Sequence, residues 1–459
     1  MRKENAMRTE TPVYDFVTEY IEKDMTRFHM PGHKGRSFLG CEIRDITEIE
    51  GADYLLEADG IIARSEKIAS SLFGTACTVY STEGSTLAMK AMLKLAADIS
   101  SVSGRQFRIL AGRNVHKSFI HACALLDYEA EWLYGENPSS VYTCTVTPQV
   151  LCRKLEEMQE LPDAVFITSP DYTGTMADIR GLAEVCHDKG ILLLVDNAHG
   201  AYLRFLEESM HPMDLGADLC CDSAHKTLPV LTGGAYLHIS HRIQEKYGDL
   251  HAAAKKAMSL FASTSPSYLI LQSLDLCNAY LSGTYRQWLA ETCIQIEKLQ
   301  KELETAGVHI QRKEPCKLLV DCAYLGMSGA EAAVYLRKHQ IECEFADQYD
   351  IVLMITPQNE TRDFIRIKEA LADLAGKRTP LQREYPPLSI PQRVCSIREA
   401  LLSPSIRIPV ETAEGYICAS PAVSCPPEVP IAVSGELLTE SVIHAMQWYG
   451  ISCADVIRR

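Results

Sequence analysis

A single lysine ends a polar turn in Asp218-Leu-Cys-Cys-Asp-Ser-Ala-His-Lys-Thr-Leu-Pro229, and the chain runs on into Leu231-Thr-Gly-Gly-Ala235. An apolar run that breaks into such a turn reads as a buried strand followed by a loop presenting Lys226 at the strand's end. Upstream, Ile191-Leu-Leu-Leu-Val195 reads as a second strand and ends in Asp196-Asn-Ala-His-Gly200. An amine after one strand and a carboxylate after another match what pyridoxal 5'-phosphate requires: a Schiff-base lysine, and an acid on the pyridinium nitrogen. Taken singly, Lys226 reads equally well as a solvated loop lysine and Asp196 as a helix N-cap. Their placement at two strand ends separates the readings.

The remaining parts of such a cofactor also have candidates. Gly84-Ser85-Thr86 opens a helix, where free backbone N–H groups and the positive end of the helix dipole favour a phosphate. Ser223 and His225, beside the lysine, add a hydroxyl and an imidazole. Ala198 is small enough to lie against one ring face, and His116, after another strand, is a candidate for the other. A cationic substrate calls for an acid. Glu344, Asp347 and Asp53 are the candidates, Glu344 first because it ends a predicted strand, Ile341-Glu-Cys-Glu344.

These residues need a scaffold, and the hydrophobic pattern supplies one. A short helix is predicted over 11–26, another over 62–73 ending at Gly74, and from about residue 75 short apolar runs alternate with amphipathic ones. Strands are predicted at 75–80, 107–111, 164–168, 191–195, 217–221 and 234–238, with helices over 87–97, from 117, and over 180–188. Strands alternating with helices argue for a mainly parallel sheet covered on both faces, with ligands beyond the strands' C-terminal ends. A long helix over 285–305 leads to a smaller α/β unit, with strands at 317–321, 341–344 and 351–355 and helices at 329–338 and 362–375. The Pro-rich stretch Thr379–Pro391 reads as a linker. The reading divides the chain into 1–280 (N-terminal segment and cofactor-binding domain), 281–378 (small α/β domain) and 379–459 (linker and C-terminal domain).

Composition narrows the function class. A net charge of −15 argues against a nucleic-acid or anionic-membrane surface. No run approaches the roughly 18 apolar residues that spanning requires, and the N-terminus has no secretion signal, so a cytoplasmic protein is expected. The seventeen cysteines show no CxxC spacing and are expected as reduced, buried small hydrophobes, with no metal site.

Eight segments in order carry a resemblance: Phe28-His-Met-Pro-Gly-His-Lys-Gly35, Asp45-Ile-Thr-Glu48, Gly84-Ser-Thr86, Arg113-Asn-Val-His-Lys-Ser118, Ser169-Pro-Asp-Tyr-Thr-Gly174, Asp196-Asn-Ala-His-Gly200, Ser223-Ala-His-Lys-Thr-Leu228 and Ser263-Thr-Ser-Pro-Ser-Tyr268. The chain resembles the ornithine/lysine/arginine decarboxylase family of pyridoxal phosphate enzymes, in its short form without an N-terminal wing domain. The resemblance implies the aspartate aminotransferase-like α/β fold, with a large domain of seven-stranded, mainly parallel sheet, a smaller α/β domain and a C-terminal domain. It implies Lys226 as the Schiff-base lysine, Asp196 on the ring nitrogen and His116 stacked on the ring. Ser85, Thr86, Ser223 and His225 would surround the phosphate, with His199 near the cofactor. It also implies a homodimer or dimer-based oligomer, in which Ser263-Thr264-Ser265 reaches a neighbour's phosphate. Two segments depart from the family pattern. Asp53-Tyr-Leu-Leu56 stands where the family reads Asp-Asp-Leu-His, and within 425–436 Cys425-Pro-Pro-Glu-Val-Pro430 stands where it reads Tyr-Pro-Pro-Gly-Ile-Pro and Ser434-Gly-Glu436 where it reads Pro-Gly-Glu. The expected activity is decarboxylation of lysine, ornithine or arginine. The alternatives are an aminotransferase of the same fold, with Arg362 or Arg366 as carboxylate clamp, and a catalytically drifted pyridoxal phosphate-binding protein.

Overall fold

The computed structural model describes residues 9–100, 104–135, 141–386, 390–423 and 428–458. The N-terminal Met1–Met7, residues 387–389 of the predicted linker and Cys425-Pro-Pro427 of the second departing segment lie outside the described residues.

Seven strands form the main sheet: β1 (Cys77–Ser81), β2 (Arg108–Gly112), β3 (Glu129–Leu133), β4 (Ala164–Thr168), β5 (Leu192–Asp196), β6 (Leu219–Asp222) and β7 (Ala235–Ile239), in the order β1-β7-β6-β5-β4-β2-β3. The sheet is mainly parallel. Only β7 runs against its neighbours β1 and β6. Strands β1, β5, β6 and β7 are short and buried along their length, which is why they read in the sequence as continuous apolar runs rather than as alternation. By its internal contacts the chain divides into two compact units, one from Met1–Ser101 and Leu192–Leu289, the other from Val102–Ile191 and Ala290–Arg459.

In the first unit, helix α1 (Pro12–Glu22) starts on a proline whose missing N–H costs nothing there. The Val13 and Tyr14 N–H groups of its first turn both donate to Asp275 Oδ2 at 2.9 Å. Helix α2 (Ile61–Phe73) ends at Gly74, as predicted, with φ +68°. Helix α3 (Gly84–Ile99) buries Leu87, Ala88, Ala91, Met92 and Leu95. It begins three residues before the predicted Leu87, so Gly84-Ser-Thr86 is the first turn itself. Phe73 anchors an aromatic cluster with Phe205, His211, Tyr236 and His238, at centroid separations of 4.7–5.6 Å.

In the second unit, β2 and β4 are parallel and end in the Arg113–Ser118 and Ser169–Gly174 segments. Helices α4 (Lys117–Leu126), α5 (Pro148–Glu157) and α6 (Ile179–Asp188) follow β2, β3 and β4 in the chain. A four-stranded antiparallel sheet is built from β8 (Ile310–Glu314), β9 (Lys317–Asp321), β10 (Phe345–Ala346) and β11 (Asp350–Met354), in the order β10-β11-β9-β8. The strand predicted at 341–344 is displaced to Phe345–Ala346, because Glu342 and Glu344 stay exposed and only the Glu344 N–H reaches across, to the Val352 carbonyl at 3.0 Å. The helices at Tyr285–Thr305 and Gly329–Lys338 stand where the spacing places them. The described cysteines are free thiols, and no described helix is long and apolar enough to cross a membrane.

Candidate active site

Parallel register brings the two chemical groups of the first unit together. Strands β5 and β6 pair with Asp196 opposite Cys221, so Asp196 closes one strand just where the next runs through Asp222 and Ser223 into a single helical turn, α7 (Ala224–Thr227). Lys226 stands on that turn, half-buried, with Nζ 3.0 Å from His199 Nε2. His199 is thus a direct partner of the lysine.

Asp196 is 3 % exposed. Its Oδ1 accepts from the Ala198 N–H at 3.2 Å and lies 3.8 Å from the Cys221 thiol. The segment that follows turns sharply. A Cβ at Gly200 would stand 1.9 Å from Asn197 Oδ1, so any side chain there would displace Asn197. Asn197 in turn donates from Nδ2 to Asp222 Oδ1 at 2.7 Å.

Asp222 is the charged centre beneath the site and was not singled out from the sequence. It is fully buried, and its Oδ2 accepts from His211 Nε2 at 2.9 Å and His238 Nε2 at 3.2 Å. His211 Nδ1 accepts from the Met213 N–H, which leaves Nε2 as the protonated nitrogen facing Asp222. Burial opposes the Asp222 charge, but the two imidazoles outweigh it and hold the carboxyl well below its usual range. Burial pushes His238 below its ordinary value, against the pull of the Asp222 charge. His211, Cys220 and Asp222 offer ligand atoms within 4.8 Å of one another, yet Asp222 is engaged by three side-chain N–H donors, which makes the group a hydrogen-bonded network. The signal that could have found it is a charged residue at the end of an apolar strand, four before Lys226; the two histidines carry no local pattern.

This network predicts a stability effect. Asp222→Asn puts an amide N–H or an uncharged carbonyl where two imidazole donors need an anion, and is expected to cost about 3 kcal/mol in urea unfolding at pH 7. A carboxyl lowered in the folded state contributes fully above its unfolded value and loses that contribution as pH falls through the folded one. The difference between wild type and variant should therefore hold from pH 8 to 5 and shrink below about pH 4.

The phosphate candidates also converge. Ser223 Oγ donates to Ser85 Oγ at 2.7 Å, which joins the turn bearing Lys226 to the first turn of α3. Gly84 has φ +72°, and a Cβ there would meet nothing within 4 Å. The glycine is thus required by its backbone conformation, and the space before the helix N-terminus is open. His225 Nδ1 lies 3.0 Å from the Gly234 carbonyl, and burial holds its pKa below the ordinary value. Thr264 sits in an exposed loop that is tied back by Ser263 N–H to Glu83 Oε1 at 2.7 Å. Pyridoxal phosphate fits this set: one amine, one buried carboxylate, and hydroxyls at an open helix N-terminus.

The other candidates have different surroundings. Asp53, at φ +68°, accepts from the N–H groups of Tyr54, Asp59, Gly60, Ile62 and Ala63 at 2.8–3.3 Å, a capping job for α2 that occupies both oxygens. In the second unit, Glu344 Oε1 accepts from Tyr172 Oη at 2.7 Å and lines a groove of about 470 Å³ with Glu342, Met354 and Arg366. Asp347 accepts from the Tyr349 and Asp350 N–H groups, each at 2.8 Å, and shapes a turn. Arg362 is exposed and pairs with Glu360 at 3.0 Å, and Arg366 is exposed on the same helix. His116 caps α4, with Nδ1 accepting from the Ser118 N–H at 3.1 Å and Nε2 3.1 Å from Glu428 Oε2.

The arginine decarboxylases of Halalkalibacterium halodurans and Bacillus subtilis are each 29 % identical, the first over 94 % of this chain and 92 % of its own length, the second over 95 % and 92 %. The fold is shared with a lysine decarboxylase of Francisella novicida, at TM-score 0.79 and 16 % identity, covering 98 % of this chain and 81 % of that one. A NifS-like protein shares it more distantly, at TM-score 0.55 and 14 % identity, covering 71 % of this chain and 92 % of that one. The profile described as "Orn/Lys/Arg decarboxylase, major domain" matches residues 11–323, which include every one of the eight ordered motifs, and the chain belongs to that family.

Proposed function

We propose that the protein is a pyridoxal phosphate-dependent decarboxylase of basic amino acids, with arginine as its first substrate and agmatine and CO₂ as products. The observation that carries this is the register that sets Asp196 beside the strand leading to Lys226. Arginine is placed first because four relatives similar over nearly the whole chain are named arginine decarboxylases, whereas the relatives in sequence named lysine or ornithine decarboxylases align over 58–66 % of it.

Bound pyridoxal phosphate supplies an electron sink for the pair left behind when CO₂ departs. The protein's own residues do the rest. Lys226 provides the amine that holds the cofactor, and His199, 3.0 Å from its Nζ, exchanges a proton with it. The Asp196 carboxylate accepts the ring N–H and keeps that nitrogen protonated. Ser85, Thr86 and Ser223 donate to the phosphate, with His225 beside them. His116 is assigned to the ring face by its motif. Thr264 is assigned to the phosphate of a second copy.

Glu344 is the candidate for the substrate's distal cation, since its carboxylate is exposed, held by one tyrosine and in a groove. Glu344→Gln is expected to raise KM for arginine about tenfold with kcat nearly unchanged, the loss of one charge-assisted hydrogen bond. A homodimer is supported by apolar side chains left bare in one segment of the first unit: Phe28, Phe38 and Leu39 are 94 %, 86 % and 89 % exposed. Light scattering on the purified chain checks it.

The deciding experiment is incubation with arginine, lysine and ornithine, read by product mass spectrometry. CO₂ with agmatine is the expected result. Amino transfer that depends on a keto acid would replace the reading with an aminotransferase, and cofactor binding without turnover of any of the three would leave a binding protein.

A further inference from the structure

The Arg113–Ser118 motif is bound to a distant part of its own unit. Arg113 donates to the Pro430 and Ile431 carbonyls at 2.7 and 3.0 Å and pairs with Glu436 at 3.2 Å. The Lys117 N–H donates to the Glu428 carbonyl at 3.0 Å, and Lys117 Nζ pairs with Glu428 Oε1 at 2.5 Å. Between these two anchors, Glu428 Oε2 reaches His116 Nε2 at 3.1 Å. Glu428 itself has φ +59°, a conformation that favours glycine. A glutamate in that conformation points to work done by its side chain.

The hydrogen bonds also assign the imidazole's proton. A backbone N–H can only donate, so the Ser118 N–H at 3.1 Å makes His116 Nδ1 the lone-pair nitrogen. The Ser118 hydroxyl is at 2.8 Å from the same nitrogen. The proton of the neutral ring then sits on Nε2, aimed at a carboxylate. Hydrogen bonds to His116 and Lys117 hold that carboxylate in its charged form, with its pKa lowered to about 2.

We propose that Glu428 is the positioning residue of His116: with Ser118 it fixes the ring plane and the Nε2–H tautomer from opposite ends. A single hydrogen bond leaves an imidazole free to rotate about χ2, whereas one at each nitrogen stops it. The consequence for turnover rests on the decarboxylase reading above, in which His116 faces the cofactor; the tautomer and the contact do not.

The test uses the full-length protein with ¹⁵N-labelled histidine, with and without pyridoxal phosphate, the His116 signals being identified by their loss in His116→Gln. A slowly exchanging imidazole N–H correlated to Nε2 is expected in the wild type. Glu428→Gln, whose side-chain oxygen still accepts, should retain it. Glu428→Gly, which suits the backbone and keeps the fold, should lose it to solvent exchange. In turnover, Glu428→Gly should lower kcat about tenfold with KM within twofold, and Glu428→Gln should restore most of it. An N–H on Nδ1, or an Nε2–H equally protected in Glu428→Gly, overturns the proposal, as does a Glu428→Gly enzyme with unchanged kcat. A wild type without turnover removes the decarboxylase reading, and the exchange comparison then decides the contact by itself.

Discussion

Lys226→Ala protein is expected to lose at least about 10⁴-fold in decarboxylation while unfolding within about 1 kcal/mol of wild type, because Lys226 is half-buried on a one-turn helix. Alanine keeps that turn, and the packing of Ala224 and Thr227 beneath it is untouched. What is removed is the amine to which the proposed function assigns attachment of the cofactor. The purified variant should also lack the visible absorbance band of lysine-bound pyridoxal phosphate. Retention of that band at wild-type intensity would move the attachment to another lysine and undo the site. Exogenous amines are expected to restore a small fraction of turnover, since the helix N-terminus and Asp196 that receive the rest of the cofactor remain in place.

Asp196→Asn is the second large effect. The change keeps the shape at the end of β5 and leaves a side-chain oxygen to accept from the Ala198 N–H. Under the proposed function it removes the negative charge assigned to keeping the ring nitrogen protonated, and with it the pull on the electrons of the breaking bond. The expected loss is about 10²–10³ in kcat, with KM changed far less, because the group acts on the transition state rather than on substrate binding. Steady-state kinetics with arginine reads both. A variant in which KM rises and kcat holds would assign Asp196 to substrate binding instead.

The main sheet was legible because its strands are buried on both faces and bounded by polar turns, so β4, β5 and the helix Tyr285–Thr305 fall within a residue of their expected bounds. What the pattern missed carries its charges outward. Strand β3, Glu129-Ala-Glu-Trp-Leu133, is an edge strand whose glutamates pair with Arg108, and α5 buries only Leu151 and Leu155. At the site, Lys226, Asp196, Ser85 and Ser223 were read as candidates because strand ends concentrate polar residues there; the hydrogen bond joining Ser223 to Ser85 was not. Glu428 and Asp222 were not. Their partners lie 312 and 11 positions away, between Glu428 and His116 and between Asp222 and His211, and no local spacing announces such contacts. Asp53 shows the converse: an acid in a plausible sequence position is occupied by five backbone amides.

The Asp222 carboxylate gathers Asn197, His211 and His238 from three separate stretches of the first unit. Loss of any one of these donors leaves the buried anion short of a partner, so the stretches that carry them are expected to open and close together. Amides of β5, β6 and β7 should exchange with solvent as one cooperative block, and the folded chain should present a finished cofactor cradle before any cofactor is bound.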